Sequence, residues 1–324
     1  MTTRRTFITL LGGAAAAWPL AAQAQTYPNR PIKLVIPFPP GGVNDALGRP
    51  WADRVKPLLG TVVIENIGGA GGVVGISGGA QPDGYTLVIG NSGNMIVAPA
   101  AASRPPYDAS RDFEAIYQLA SAAGVFAVHP SLRAQNLKEL ADYARTKGNV
   151  LSYGSPGVGT GNHLAAEMFK RSTDLPDLVH IPYRGAGPLL NDLIGGQIVF
   201  ASLTLTGQVL ELHKTGKLRV LAVVGPSRVR GAPEFPTAVE AGFADLTYRG
   251  FFGLFAPKRT PQPILEGLAD ATRTALAEQE LQRLFVASGF EPDLNSSPES
   301  FRRTVEEERA RWEPIVKTMG LRLD

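Results

Sequence analysis

The sequence predicts an α/β protein of two lobes, each a mainly parallel sheet flanked by helices, with a cleft between them. Three observations carry the prediction. Short apolar strands, glycine-rich loops and helices alternate at close spacing from Ile32 onward, the order that a parallel sheet with crossover helices requires. The same pattern restarts near Leu151. No linker cuts the chain once, so two lobes crossed by two or more strands fit better than two beads on a string.

Ile32-Lys33-Leu34-Val35-Ile36 reads as a buried strand rich in branched residues. It ends at Pro37, and Phe38-Pro39-Pro40-Gly41-Gly42 must turn. Asn44 or Asp45 can cap a helix running to Leu59, with Pro50 expected in its first turn and Pro57 expected to kink or end it. Thr61 to Glu65 is a second strand, and a helix follows the glycine-rich Asn66–Gly72 stretch and reaches Ala80. Gln81-Pro82-Asp83-Gly84 is a turn signal. Tyr85 to Ile89 is the next strand, before Gly90-Asn91-Ser92-Gly93-Asn94. Val125 to Val128 is a further strand, and Leu137 to Thr146 an amphipathic helix.

In the middle of the chain Leu151-Ser152-Tyr153 leads into Gly154-Ser155-Pro156-Gly157-Val158-Gly159-Thr160-Gly161-Asn162. A helix from His163 to Lys170 is expected next. Val179 to Tyr183 is a strand before Arg184-Gly185-Ala186-Gly187, and Pro188 to Ile194 a short helix. Leu218 to Val224 and Phe251 to Phe255 are strands. Helices close the chain at Pro263–Glu278, Glu280–Ser288 and Pro298–Lys317, the last packing through a stripe of Phe301, Val305, Trp312 and Ile315. Trp51 and Trp312 read as packing residues.

The first residues carry an export signal. Arg4 and Arg5 precede an uncharged apolar stretch from Phe7 to Leu20, and Ala22-Gln23-Ala24 supplies a small-residue cleavage site. Cleavage is expected after Ala24. The stretch falls short of the ~20 residues a spanning helix needs, which disfavours an uncleaved anchor. The paired arginines also resemble a twin-arginine signal, so export of a folded or an unfolded chain both fit.

Charge and cysteine content exclude several classes. The 324 residues include 32 Lys+Arg and 29 Asp+Glu, and without Arg4 and Arg5 the two nearly balance. No basic cluster suggests a nucleic-acid surface; Arg228 and Arg230 read as a solvated loop. With no cysteine, disulfides, thiol nucleophiles and thiolate metal sites are excluded. His129, His163, His180 and His213 lack the close spacing of a metal-binding helix. No cofactor or metal is expected.

Three strand-to-helix turns carry the chemistry: Phe38–Gly42, Gly90–Asn94 and Gly154–Asn162. Backbone N–H groups at the start of a helix lack intrahelical acceptors and attract anions. Glycine lets a ligand approach the backbone, and Asn91, Ser92, Ser155 and Thr160 add side-chain bonds. Enzyme motifs fail on spacing. Gly69 and Gly71 would need glycine or alanine where Val74 stands, no phosphate loop is present, and Gly154-Ser155-Pro156-Gly157 is not a nucleophile elbow. Ser155 and His163 could pair as nucleophile and base, but nothing fixes a third partner.

Several segments resemble, in order, the Bug family of tripartite tricarboxylate transporter substrate-binding proteins. They are Tyr27–Ile32, Pro37–Gly42, Glu65-Asn66 with Gly69–Gly72, Pro82–Leu87, His180–Gly185, Gly216–Arg219 and Phe252–Pro257. The resemblance implies a type II-like periplasmic binding fold whose lobes close by a hinge. Crossings near Ala123 and Asp245 would make residues 25–123 plus 246–324 one lobe and 124–245 the other, after a 1–24 signal. It further implies a non-enzymatic periplasmic protein, a monomer, that binds a small carboxylate (a dicarboxylate, tricarboxylate, aromatic acid or amino acid) for membrane permease subunits or a sensor. Carried over by motif, Phe38, Gly41, Gly42 and Asp45 would hold the ligand from one lobe and Ser155, Gly159, Thr160 and His163 from the other, with Asn91 and Ser92 on a further loop. His163 could equally just bond its turn. Arg184 and Arg249 stay outside this set.

The chain departs from the family after Gly195-Gly196-Gln197, where Val199 and Leu203 occupy two usually acidic positions. Ser202, Thr204 or Thr206 would then supply neutral hydrogen bonds, and the pocket would prefer a less polar or differently substituted acid. The competing readings are a periplasmic hydrolase on a similar scaffold and a receptor-interaction protein that binds no solute.

Overall fold

The computed structural model describes residues 27–81, 83–147 and 151–322. The export signal expected at 1–24 and the expected cleavage site lie outside the described residues, as does Pro82. Among the described residues no helix is long and apolar enough to cross a membrane.

The first segment runs β1 (Ile32–Ile36), α1 (Asp45–Leu59), β2 (Val62–Asn66), a 3₁₀ turn at Ala70–Gly72, α2 (Val73–Gly79) and β3 (Thr86–Asn91). A π-helical turn at Gly93–Val97, α3 (Ala98–Ala101) and α4 (Ala109–Asp112) lead into β4 (Phe113–Val128). Then come α5 (Leu137–Lys147), β5 (Ser152–Ser155), α6 (Gly161–Ser172), β6 (Val179–Pro182), α7 (Ala186–Ile194), β7 (Phe200–Thr204), α8 (Gly207–Lys214) and β8 (Arg219–Val224). The chain finishes with β9 (Arg249–Pro257), α9 (Gln262–Ala277), α10 (Gln279–Ala287), β10 (Glu291–Pro292) and α11 (Pro298–Met319).

Parallel pairing holds at the outer strands, β2-β1-β3 on one side and β7-β5-β6 on the other. Between them the sheet is antiparallel: β9 lies between β3 and β4, and β4 pairs antiparallel with β7 and β8. The sheets are thus mixed, because the strands that pass between halves reverse direction instead of returning through a crossover helix. β4 serves both halves. Residues from Phe113 to Ala123 pair with β9, whereas Gly124 to Val128 pair with β7 and β8. Arg249, where the chain re-enters, lies opposite Ala123. The result is two α/β lobes joined by extended strands.

Apolar burial explains the helices. Leu47, Trp51, Val55 and Leu59 of α1 pack with Leu268 and Phe285 of α9 and α10 over β1 and β3. The Trp51 indole N–H donates to Thr272 Oγ1 at 3.2 Å. That buried face carries α1 through both Pro50 and Pro57, so the early end expected from Pro57 does not occur; tertiary packing outweighs the lost bonds. Asn44 does not cap α1 with its side chain; its amide crosses to the Ile89 carbonyl at 3.1 Å. In α11 the buried stripe is Phe301, Val305, Trp312 and Val316, with Val316 in the place expected of Ile315.

Candidate ligand-binding site

The turn after β1 is held from behind. Gly41 has φ +80°, a conformation that disfavours any side chain with a Cβ. Its N–H donates to Asp45 Oδ2 at 2.5 Å. Asn66 Nδ2 donates to both Asp45 Oδ1 and the Phe38 carbonyl, each at 3.0 Å. Arg49 adds an ion pair to Asp45 at 3.3 Å. Asp45 therefore braces the turn with its carboxylate and does not line the cavity.

The turn after β5 is built the same way. Gly157 and Gly159 have φ +148° and +75°. Thr160 Oγ1 donates to the Gly157 carbonyl at 2.8 Å and accepts the His163 N–H at 3.2 Å, capping α6. Ser155 Oγ bonds the Gly157 carbonyl at 3.1 Å and lies 2.7 Å from His180 Nε2. The Gly159 N–H donates to His163 Nδ1 at 3.2 Å. His163 and His180 stack at 4.0 Å. Burial, then the charge of the other imidazole and of Lys170, pushes His163 down to about 3; burial, then Lys170, pushes His180 down to about 4. Both rings are neutral at neutral pH, and they form the back wall of the turn.

This arrangement sets a pH dependence. An unfolded histidine titrates near 6.5, whereas folded His163 resists protonation until about pH 3. The unfolded chain therefore binds more protons as pH falls through 6.5, and stability declines from there toward the folded value. At pH 4 the loss from His163 alone is about 3 kcal/mol. Melting temperatures measured from pH 7 to 4 should fall steeply for the wild type and less steeply for His163→Gln.

The two turns meet at one cavity of about 130 Å³. Of the residues expected to bind, Phe38, Gly41, Gly42, Asn91, Thr160 and Thr204 line it. The others stand behind. Asp45, Ser155, Gly159 and His163 hold the turns, and fully buried Ser92 accepts the Phe251 N–H at 2.9 Å. At the end of β7 Thr204 lines the cavity, and with Leu203 it also borders an adjoining hollow of about 320 Å³ that touches Gly41 and Gly42. Ser202 is fully buried, and Val199 precedes the strand, its carbonyl accepting the His129 N–H.

Sequence reasoning missed Asn44, Asn162, Arg184 and Tyr248, all on the cavity wall. Asn162 Nδ2 donates to Thr204 Oγ1 at 3.0 Å. Burial raises the pKa of Tyr248 well above that of an ordinary phenol, while a bond from Ser92 lowers it in part. Tyr248 is thus a neutral phenol. Three helices, α1, α6 and α7, begin at the wall and turn the positive ends of their dipoles toward it, although the Asp45 and Ala46 N–H groups return to the Gly42 carbonyl and the His163 N–H to Thr160 Oγ1. Among the described residues lining the cavity no carboxylate occurs, and Arg184 alone carries a charge. The wall is donor-rich and electropositive, which suits an anion.

The model of the tripartite tricarboxylate transporter family receptor matches residues 49–321. Solved structures agree along nearly the whole chain. The periplasmic binding protein BugD is 31% identical with TM-score 0.85, covering 91% of this chain and 99% of its own. A protein of R. palustris solved with adipate is 32% identical with TM-score 0.85, covering 91% and 99%. MatC of Rhodopseudomonas palustris, with bound malate, is 27% identical with TM-score 0.84, covering 90% and 100%.

Proposed function

Because the chain belongs to the tripartite tricarboxylate transporter receptor family, of the Bug type, we propose that it is an exported solute-binding protein that takes a small carboxylate between its lobes. The observation that carries this is the acid-free cavity ringed by helix starts, amides and hydroxyls. One lobe comprises residues 25–123 plus 246–324 and the other 124–245, a division supported by the change of partners along β4 between Ala123 and Gly124. The carboxylate sits between the Pro39–Gly42 turn and the Thr160–Asn162 helix start, with Asn91, Thr204 and Tyr248 donating around it. The protein works in the periplasm after cleavage near Ala24, as a monomer without cofactor, and delivers its solute to membrane permease subunits or a sensor.

The hydrolase reading has one observation in its favour, the 2.7 Å contact between Ser155 and His180. That Ser155 is fully buried, bonded to its own turn, and absent from the cavity wall. It has no approach to a substrate and serves the turn.

Thermal unfolding with added acids tests the proposal. Malate or adipate should raise the melting temperature saturably, by mass action, with the acid recovered unchanged. The lack of a carboxylate among the described residues of the wall adds a specificity. An α-ammonium group would find no counter-charge, so aspartate should bind about tenfold or more weakly than malate. No shift with any acid, or turnover of the acid, contradicts the reading; tight aspartate binding contradicts the specificity.

A further inference from the structure

Resting on that reading, we infer that Arg184 is the residue that recognises a second carboxylate of the ligand, by pairing with it at the mouth of the cleft. Among the described residues Arg184 is the one charged side chain on the cavity wall, and it is exposed. None of the ion pairs or hydrogen bonds formed by the described residues uses its guanidinium. Arg49 is paired with Asp45, and Arg249, which is largely buried and not on the cavity wall, uses only Nη1 on Glu291. An always-charged group with five donors and no partner, placed on a ligand cavity, is poised for an anion supplied from outside.

Its position is fixed by the backbone. The preceding Tyr183 N–H donates to the Ser155 carbonyl at 2.9 Å, and the following Gly185 N–H to the Pro156 carbonyl at 3.0 Å. Tyr183 is further tied through its hydroxyl to Asp192 Oδ2 at 2.9 Å. Arg184 thus sits on the loop between β6 and α7, tied on both sides to the start of the turn that holds Gly157–Thr160. A Cβ placed on Gly185 would lie 3.9 Å from Pro39 Cδ, so this segment faces the first-lobe turn across the cleft.

The two ends of the site differ in kind. The helix start at Thr160–Asn162 and the asparagines offer neutral donors in buried surroundings, which suit one desolvated carboxylate. Arg184 offers a full charge in contact with solvent, where a second carboxylate can keep part of its hydration. A monocarboxylate uses the first end only, and a dicarboxylate of matching length uses both. Guanidinium and carboxylate pair as a two-bond fork, so the preference is for a carboxylate over a neutral tail of equal length.

Calorimetric titration with succinate, glutarate, adipate and pimelate, against butyrate, pentanoate, hexanoate and heptanoate, tests this on the full mature chain. For at least one length the wild type should bind the diacid about tenfold more tightly than the monoacid. Arg184→Gln should erase most of that ratio, weakening the diacid far more than the monoacid, and Arg184→Lys should restore part of it. The diacid advantage should also shrink in high salt, because the pair is exposed. An unchanged ratio in Arg184→Gln, with both acids still bound, overturns the inference and leaves the binding function standing. A wild type that binds neither series overturns both.

Discussion

Gly71→Val should abolish solute capture while leaving both lobes folded. Gly71 has φ +64°, and a Cβ built there would lie 2.3 Å from the carbonyl oxygen of Val158. Val158 belongs to the turn after β5, which the proposed division puts in the other lobe, so the clash is across the cleft and against backbone. Neither side can yield by a rotamer change. The lobes must part or the Gly157–Thr160 turn must move, and either disrupts the cavity. A penalty of about 3 kcal/mol on the closed arrangement lowers apparent affinity about 100-fold. The positive φ costs the fold a further ~1–2 kcal/mol. The expected record is a modestly lowered melting temperature that no longer rises with malate or adipate. A variant that binds as the wild type does would show that Gly71 and Val158 need not meet for capture.

Gly161→Ala should be nearly as severe for a single methyl group. The added Cβ would lie 2.0 Å from Tyr248 Oη and 2.2 Å from Cζ. The ring cannot swing freely, because it is buried and packs on Trp312 at 5.3 Å. Overpacking of this kind costs about 1–3 kcal/mol, and here it also displaces a donor from the cavity wall. Affinity should fall about tenfold or more. Adding Tyr248→Leu should recover much of the stability but not the binding, since the phenol is then gone. Thermal melts and titrations of the two single variants and the double variant separate these effects, and a fully additive result would show that the two residues are not in contact.

Much of the fold was legible because local chemistry sets it. β1 is a run of branched residues stopped by a proline, and β3 follows a turn signal; both strands lie near where the pattern places them. β4 was mostly hidden. Only Val125 to Val128 read as a strand, because the Ala-rich stretch before it has weak strand preference and is recruited by β9, far away in sequence. α8 was missed as well: Thr206 caps it at Val209, but the glycine at its first position disguised the start. The mixed pairing is likewise a long-range outcome that no local window contains.

The site was half legible for a related reason. Glycines at strand ends mark the turns, because few other residues reach those backbone angles. They do not say which side chains face inward. Asp45 looked like a ligand partner, yet its carboxylate turns back to the Gly41 N–H and spares an anion its repulsion. His163 sits at the helix start but points behind the turn, where His180 stacks on it. Arg184 is by chemistry an attractive carboxylate partner, but the sequence leaves it outside the site because most arginines lie at the surface; the Gly185–Pro156 bond sets its segment at the cleft. The glycine-rich turn Arg184–Gly187, at the end of a strand, was the signal that could have found it. Tyr248 had no local signal; it reaches the cavity only because β9 returns beside β4.

The central claim is that a carboxylate is held between the turn at Pro39–Gly42 and the helix start at Thr160–Asn162. A crystal structure with the tightest-binding diacid of the series tests it most directly. The account predicts one carboxylate within about 3 Å of donors at that helix start, with Tyr248 and Asn91 beside it. An acid bound elsewhere, for example in the hollow between Tyr27 and Arg259, with this cleft empty, would contradict it.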